Sequence, residues 1–476
     1  MHIEEKNTYS TAKIIGLILG PLSFAAIMFF MDLDPEPKAV LASTAWISIW
    51  WITEALPIPA TSLLPLILLP ISGGLDSGKA ASAYGNPIVF MYMGGFIIAI
   101  AIEKWNLHKR IALTILSVIG TSSNRIILGV MLATSLLSMW INNTATALMM
   151  FPIALALTKQ IKADGVLDNR SFDSFSKSIM LSVAYSATIG GLATLVGSIP
   201  NAAFAAISAE MLGRTITFSD WLIFALPLTV ILLILTYFYI TRVQFPVKVS
   251  IGDNQPYIKK ELQELGPVSY EEKMVAGVFF LTGLLWVFGG LLPESINDSM
   301  IGIFGALLLF FIPAKNKKER MLEWEDASKL PWGLLLLFGG GLSLAAAFTD
   351  SKLTNWIGAQ LESLIGFPYF FIVLTLSAII LFLTEIMSNT AVSNMVIPIT
   401  VGMAYGIGIE PYGLMAAAAL ASSCAFMLPI STAPNAIVFG SDYIKINDMV
   451  KSGFWLNIIS LFIIVLAVYY WLPRIF

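Results

Sequence analysis

The chain has 476 residues, 57% of them hydrophobic and only 12% charged, with a mean hydropathy of +0.82. A soluble domain carries about 25% charged residues, so this is the composition of an integral membrane protein. The net charge of −3 decides little, the single cysteine Cys424 excludes an internal disulfide framework, and His2 and His108, both in polar stretches, give no basis for a histidine metal site or a Ser-His-Asp triad.

Residues 1–13 carry two glutamates where a signal peptide would be basic, and no clean small-x-small site follows the apolar run Ile14–Met31. An uncleaved first helix is therefore expected. Taken in chain order, spans are expected at 14–31, 38–53, 57–72, 87–103, 179–213, 221–242, 273–292, 299–313, 331–348, 412–441 and 453–472, eleven in all. Two further apolar runs, 126–158 and 369–405, are too long for one span of about 20 residues and carry Asn-Thr motifs near their midpoints. They are expected to be re-entrant hairpins buried in protein. Stretches 105–118 and 351–364 look amphipathic and suit the membrane surface. Trp50, Trp51, Trp332, Trp356 and Trp455 fall near span ends, where amphipathic rings commonly sit.

Charge placement gives sidedness. Lys104, His108, Lys109, Arg110, Arg125, Lys159, Lys162, Arg170, Lys177, Lys248, Lys259, Lys260, Lys273, Lys315, Lys317, Lys318 and Arg320 all fall on one side of this layout. Asp32–Glu36, Pro293–Asp298 and Gly406–Pro411, acidic or neutral, fall on the other. Basic loops are cytoplasmic, so the N-terminus is expected inside and the C-terminus outside. The first hairpin then enters from the cytoplasm and the second from outside.

The interruptions come in pairs. Trp140-Ile141-Asn142-Asn143-Thr144-Ala145-Thr146 and Gly197-Ser198-Ile199-Pro200-Asn201-Ala202 in one half correspond to Met387-Ser388-Asn389-Thr390-Ala391-Val392-Ser393 and Ser431-Thr432-Ala433-Pro434-Asn435-Ala436 in the other. The separations are 246 residues from Asn143 to Asn389, 234 from Pro200 to Pro434, and 245 between the glycine pairs Gly94-Gly95 and Gly339-Gly340. An inverted repeat is expected: 1–36 as the first helix, 37–242 as one repeat, 243–272 as a cytoplasmic linker and 273–476 as the second repeat. Hairpin 126–158 and broken helix 179–213 belong to the first repeat, and hairpin 369–405 and broken helix 412–441 to the second.

A helix that begins mid-membrane presents free N–H groups and a partial positive end. Two such tips, dressed with Asn, Ser and Thr, would form an anion site from neutral donors; no Lys or Arg falls in either motif region. Pro200 and Pro434 break their helices, freeing carbonyls for a cation while Ser198 and Thr432 face a substrate. Paired interruptions of this kind mark a transporter binding site.

With these motifs, and with Trp51-Ile52-Thr53-Glu54-Ala55-Leu56-Pro57, the chain resembles the divalent anion/sodium symporter family, the INDY-like dicarboxylate transporters, over essentially its whole length. Members of that family carry two Ser-Asn-Thr motifs on hairpin tips and two Thr-Pro-Pro loops in broken helices. The resemblance implies a homodimer working as an elevator on C4–C6 di- or tricarboxylates such as succinate, malate, 2-oxoglutarate or citrate; with no targeting segment in the sequence, a bacterial plasma membrane is expected. It places Asn142, Asn143, Thr144, Ser198, Ser388, Asn389, Thr390 and Thr432 around the substrate. It maps one sodium position to Ser138, Asn142, Asn143 and Gly197, and the other to Thr384, Met387, Asn389 and Ser431.

The departures from the pattern bear on coupling. Asn142 stands where the family has a small hydroxyl residue, and Ser431 where small residues are usual. Either could intrude on a cation, so obligatory anion exchange is expected, with sodium-coupled symport as the alternative and sodium not favoured as co-substrate. Glu385 and Glu54 are expected to be buried structural acids. A channel lacks a pore-lining charge ring, an intramembrane enzyme lacks a nucleophile and base, and an inorganic-anion transporter remains a further alternative.

Overall fold

The computed structural model describes residues 10–120, 122–165, 167–246, 255–293, 295–315 and 318–476. The described residues are helical throughout, apart from turns and one isolated bridge between Pro313 and Arg320. His2, Lys248, Glu294, Lys317 and residues 247–254 of the expected linker lie outside them.

The first two helices, Thr11–Phe30 and Pro35–Thr53, pack side by side, with Trp50 Nε1 donating to Gly16 O at 3.0 Å. The expected span at 57–72 is divided into Ile58–Thr61 and Pro65–Ser72. Pro65 supplies no N–H, so the helical bond it would give to Thr61 O is missing and the ladder is interrupted there, although Leu64 keeps helical dihedrals (φ −58°, ψ −36°). Pro87–Lys104 follows, its N-terminal N–H groups capped by Asn86. The first hairpin comprises Ser123–Ser138 and Asn143–Ala163, and the first broken helix Asn169–Gly191 and Ile199–Leu212. Phe218–Phe238 begins with a Thr217–Asp220 capping box and Tyr270–Val287 with a Ser269–Glu272 box. Asp298–Phe311 and Trp332–Asp350 lead to the second hairpin, Tyr369–Leu383 and Asn389–Ile407. The second broken helix is Pro411–Ser423 and Ala433–Phe439, and Ile446–Leu466 runs towards the C-terminus. The amphipathic stretches form Leu107–Ile119 and Leu353–Gln360. His108, placed in a polar stretch by sequence, is buried beside Ile102 O.

Seven of these helices are long and apolar enough to cross a membrane, and five shorter apolar helices accompany them, both hairpin entry arms included. The broken helices bury nearly every side chain of Phe175–Gly191 and Pro411–Phe426, so their polar interruptions face protein rather than lipid. Small residues allow this close packing. A Cβ on Gly191 would lie 2.3 Å from Asn143 Oδ1, so only glycine lets the first tip approach the broken helix.

Contacts between distant loops respect the sides assigned by charge. Lys104 pairs with Asp326 at 2.8 Å, Arg110 with Glu272 at 2.7 Å, and Lys177 with Asp448 at 3.2 Å, all on the side of the basic loops. Lys79 pairs with Asp350 at 2.5 Å, Asp298 Oδ2 accepts from Phe218 N at 2.7 Å, and Arg214 lies over the ring of Phe476, all on the other side.

Candidate functional site

The two hairpin tips and the two breaks meet at one cavity of about 850 Å³. Its wall carries Asn142, Asn143, Thr144, Gly197 and Ser198 from one half, and Met387, Ser388, Asn389, Thr390, Ser431 and Thr432 from the other. All eight residues expected around a substrate are on this wall. Ser138 and Thr384, expected at cation positions, lie fully buried behind it.

Helix starts build the polar face. Asn143–Ala163 and Asn389–Ile407 begin at the cavity, as do Ile199–Leu212 and Ala433–Phe439. Ser198 (φ −142°, ψ 136°) and Thr432 (φ −141°, ψ 151°) share one N-cap conformation, followed by proline in the first turn. Thr432 Oγ1 accepts from Asn435 N at 3.3 Å, and Ser198 Oγ shares a hydrogen bond with Ser423 Oγ at 3.0 Å across the two halves.

Behind each tip, a hydroxyl links the tip asparagine to a broken-helix carbonyl. Ser138 Oγ lies 2.8 Å from Asn143 Oδ1 and donates to Ala187 O at 2.6 Å. Thr384 Oγ1 lies 2.7 Å from Asn389 Oδ1 and donates to Ser422 O at 2.8 Å. The inward amide atom of Asn143 also faces Ala187 O at 3.0 Å and Gly197 O at 3.3 Å. Hydrogen-bond matching favours this amide turned by half, with its NH₂ inward and donating to Ser138 Oγ, Ala187 O and Gly197 O. With its oxygen inward, a side-chain oxygen, a hydroxyl and two carbonyls converge, a set of hard neutral ligands suited to an alkali cation. Among the described residues no group of three or more His, Cys, Asp or Glu could hold a metal ion.

The structure places the two departures from the motif pattern away from these oxygens. Asn142 Oδ1 accepts from Ala145 N at 2.9 Å, capping the second arm of its hairpin. Ser431 Oγ donates to Leu428 O at 2.7 Å and accepts from Asn435 Nδ2 at 3.1 Å, so it is engaged within its own loop. Both oxygens are engaged by local partners, so the ground for disfavouring sodium is weakened.

Several residues at the site carried no expectation. Asn201 Nδ2 donates to Gly191 O, Leu192 O and Thr194 O, and Asn435 Nδ2 to Ala425 O and Leu428 O, so each motif asparagine staples its own break. Thr194 Oγ1 accepts from Gly197 N at 3.0 Å and donates to Met139 O. Tyr92 OH donates to Leu195 O and, at 2.8 Å, to Ser198 O. The repeat of Asn201 and Asn435 was visible in the sequence, whereas Thr194 and Tyr92 are single polar residues in apolar runs and gave no signal.

Lys13 and Glu54 are the charged residues on the cavity wall. Glu54 differs from expectation. It is exposed, in a left-handed conformation (φ 48°) that ends the second helix. Glu385 is buried and hydrogen-bonded, behind the second tip. Ser10, Lys13, Glu54, Ile58, Pro331 and Leu334 also line the cavity, all near span ends on the side assigned to the basic loops.

A family model described as the sodium:sulfate symporter transmembrane region matches residues 19–476. The sodium-dependent dicarboxylate transporter SdcS of Staphylococcus aureus (strain MRSA252) is 45% identical to this chain, covering 99% of it and 93% of the relative. Among solved structures, Neisseria gonorrhoeae MtrF, from a class of antimetabolite efflux pumps, superposes with a TM-score of 0.60 at 13% identity, over 97% of this chain and 94% of its own. The Alcanivorax borkumensis YdaH transporter gives 0.57 at 12% identity, over 92% and 99%. These two show the shared fold alone. The relative's sodium dependence, at 45% identity over nearly the whole chain, overturns the expectation that sodium is not favoured. The chain is a multi-pass membrane transporter and belongs to the sodium:sulfate symporter family, the divalent anion/sodium symporters that its paired motifs resemble.

Proposed function

We propose that this protein is a sodium-coupled symporter of C4–C6 dicarboxylates. The observation that carries the reading is the pair of Asn–hydroxyl–carbonyl clusters, Asn143–Ser138–Ala187 and Asn389–Thr384–Ser422, set behind one cavity faced by neutral donors. The relative named as a sodium-dependent dicarboxylate transporter supports both substrates. In this reading Asn142, Asn143, Thr144, Ser198, Ser388, Asn389, Thr390 and Thr432 surround the dicarboxylate. One sodium sits among Ser138, Asn143 and Gly197, and a second among Thr384, Met387, Asn389 and the main chain near Ser431. Moving a dianion against an inside-negative potential costs about 2.3 kcal/mol per charge per 100 mV, and co-transported cations cancel that cost.

The proposed architecture is an inverted repeat, 37–242 and 273–476, of eleven spans and two hairpins. The sidedness of the six loop contacts supports it, as do the matched hydroxyl bridges at Ser138 and Thr384. The proposed assembly is a homodimeric elevator in a plasma membrane, and the span-end residues of the basic-loop side that line the cavity support a cytoplasm-facing state. Purified protein in liposomes tests the coupling, with sodium and internal dicarboxylate varied independently. An inward sodium gradient is expected to drive accumulation of labelled succinate, malate or 2-oxoglutarate into vesicles that contain no dicarboxylate. Uptake that needs internal dicarboxylate and ignores sodium would restore exchange, and uptake of none of these acids would refute the substrate class. Sulfate competing better than any dicarboxylate would favour an inorganic substrate.

A further inference from the structure

Glu385 is the only carboxylate in either hairpin tip or either break. It is 3% exposed and makes no ion pair among the described residues. Its Oε1 accepts from Phe426 N at 2.8 Å, Met427 N at 3.0 Å and Asn457 Nδ2 at 2.7 Å. Its Oε2 accepts from Met427 N at 3.1 Å and Leu428 N at 3.2 Å. Three consecutive N–H groups of the unwound segment thus converge on one carboxylate, while Asn457 ties it to the last long helix. A buried carboxylate is tolerable only when donors replace its water, so these bonds are hard to give up once formed.

The clamp sits between the parts of the second site. Residue 384, its chain neighbour, carries the hydroxyl that faces Asn389 Oδ1 and Ser422 O. Just before the clamped segment, Ser423 O accepts from Asn389 Nδ2 at 3.4 Å; just after it come Ser431 and Thr432 on the cavity wall. At the matching place in the first half, 246 residues earlier, stands Met139, which offers only its main-chain carbonyl.

We propose that Glu385 is a positioning residue that fixes the unwound segment Cys424–Leu428 against the second hairpin tip and so sets the geometry and negative potential of the second cation position. The structural half of this inference stands on the hydrogen bonds; the sodium half rests on the proposed sodium coupling. The chain supplies its own reporter, because its one cysteine, Cys424, is fully buried in the clamped segment.

Full-length protein, wild type and Glu385→Gln, is labelled with N-ethylmaleimide after gel filtration confirms a monodisperse peak. Glu385→Gln is expected to raise the Cys424 labelling rate about tenfold, the size of effect set by losing hydrogen bonds to a charged group. In liposomes it is expected to raise the sodium half-saturation by about tenfold while moving the dicarboxylate KM at saturating sodium by less than about threefold. Glu385→Asp, which keeps the charge, restores part of both. Asn457→Ala, which removes one donor and touches no cavity residue, shifts labelling in the same direction by a smaller factor and serves if Glu385→Gln does not fold. Unchanged labelling in the folded variant would overturn the clamp. A wild type that ignores sodium would instead overturn the proposed coupling and leave the labelling result standing.

Discussion

The break between Gly191 and Ile199 is held largely through its carbonyls, whereas the N–H groups of the break between Ser423 and Ala433 gather on a carboxylate. In the first, Tyr92 donates to Leu195 O and Ser198 O, Trp221 Nε1 to Leu192 O at 3.0 Å, and Asn201 to three carbonyls. In the second, the Glu385 carboxylate gathers Phe426, Met427 and Leu428 N–H, while Asn435 and Ser431 donate to carbonyls within the loop. Unwinding a helix frees both kinds of group, and a site in a water-poor core must satisfy them. The difference teaches that two matched sequence motifs can present the same hydroxyl–asparagine–carbonyl face while their supports have opposite charge character. Several freed carbonyls of the first break are already occupied by neutral donors, which leaves Gly197 O facing Asn143.

The largest effect expected is at the tips themselves. Asn143→Ala and Asn389→Ala each remove the amide that faces both cavity and carbonyl cluster. Each is expected to lower dicarboxylate kcat/KM by at least about a hundredfold, the range for losing bonds to charged partners. Uptake by reconstituted protein with an unchanged gel-filtration profile measures it. Wild-type rates in either variant would remove that tip from the site and break the parallel between the halves.

A smaller effect separates the two supports. Ser138→Ala and Thr384→Ala remove one bridging hydroxyl each and are expected to raise the sodium half-saturation by about fivefold to tenfold. The larger shift belongs to Ser138→Ala, because the second position keeps the Glu385 charge one residue away. Uptake measured against sodium concentration gives both numbers. Equal shifts would mean that the carboxylate holds the backbone without affecting cation affinity.

Much of this was readable because polar residues in a membrane chain are expensive and therefore informative. The Asn-Thr and Pro-Asn motifs located the cavity wall, and basic loops located the contacts that close each side. Where sequence reasoning stopped, the missing information was three-dimensional. Thr194 is a lone hydroxyl in an apolar run and Ser423 one of a Ser-Ser pair, and only the fold brings one to Met139 O and the other to Ser198. Glu385 stood out as an acid, but its partners lie 41 to 72 residues away in sequence. The span at 57–72 looked continuous because its apolar character survives the break at Pro65.

Asn142 shows how a motif comparison can weigh a residue correctly and still misread its direction. Its backbone (φ −59°, ψ 151°) is that of an N-cap, and its Oδ1 is committed to Ala145 N, whereas Ser388, the matching residue, makes no side-chain cap bond. A hydroxyl can cap a helix as well as an amide can. Asn142→Ser is therefore expected to change the sodium half-saturation by less than about twofold. Asn142→Ala, which cannot cap, is expected to cost about 1 kcal/mol of stability, read as a lower thermal unfolding midpoint with sodium dependence retained. If Asn142→Ser instead strengthened sodium dependence severalfold, the amide would be competing with the cation, and the first position would be the weaker of the two for a reason unrelated to Glu385.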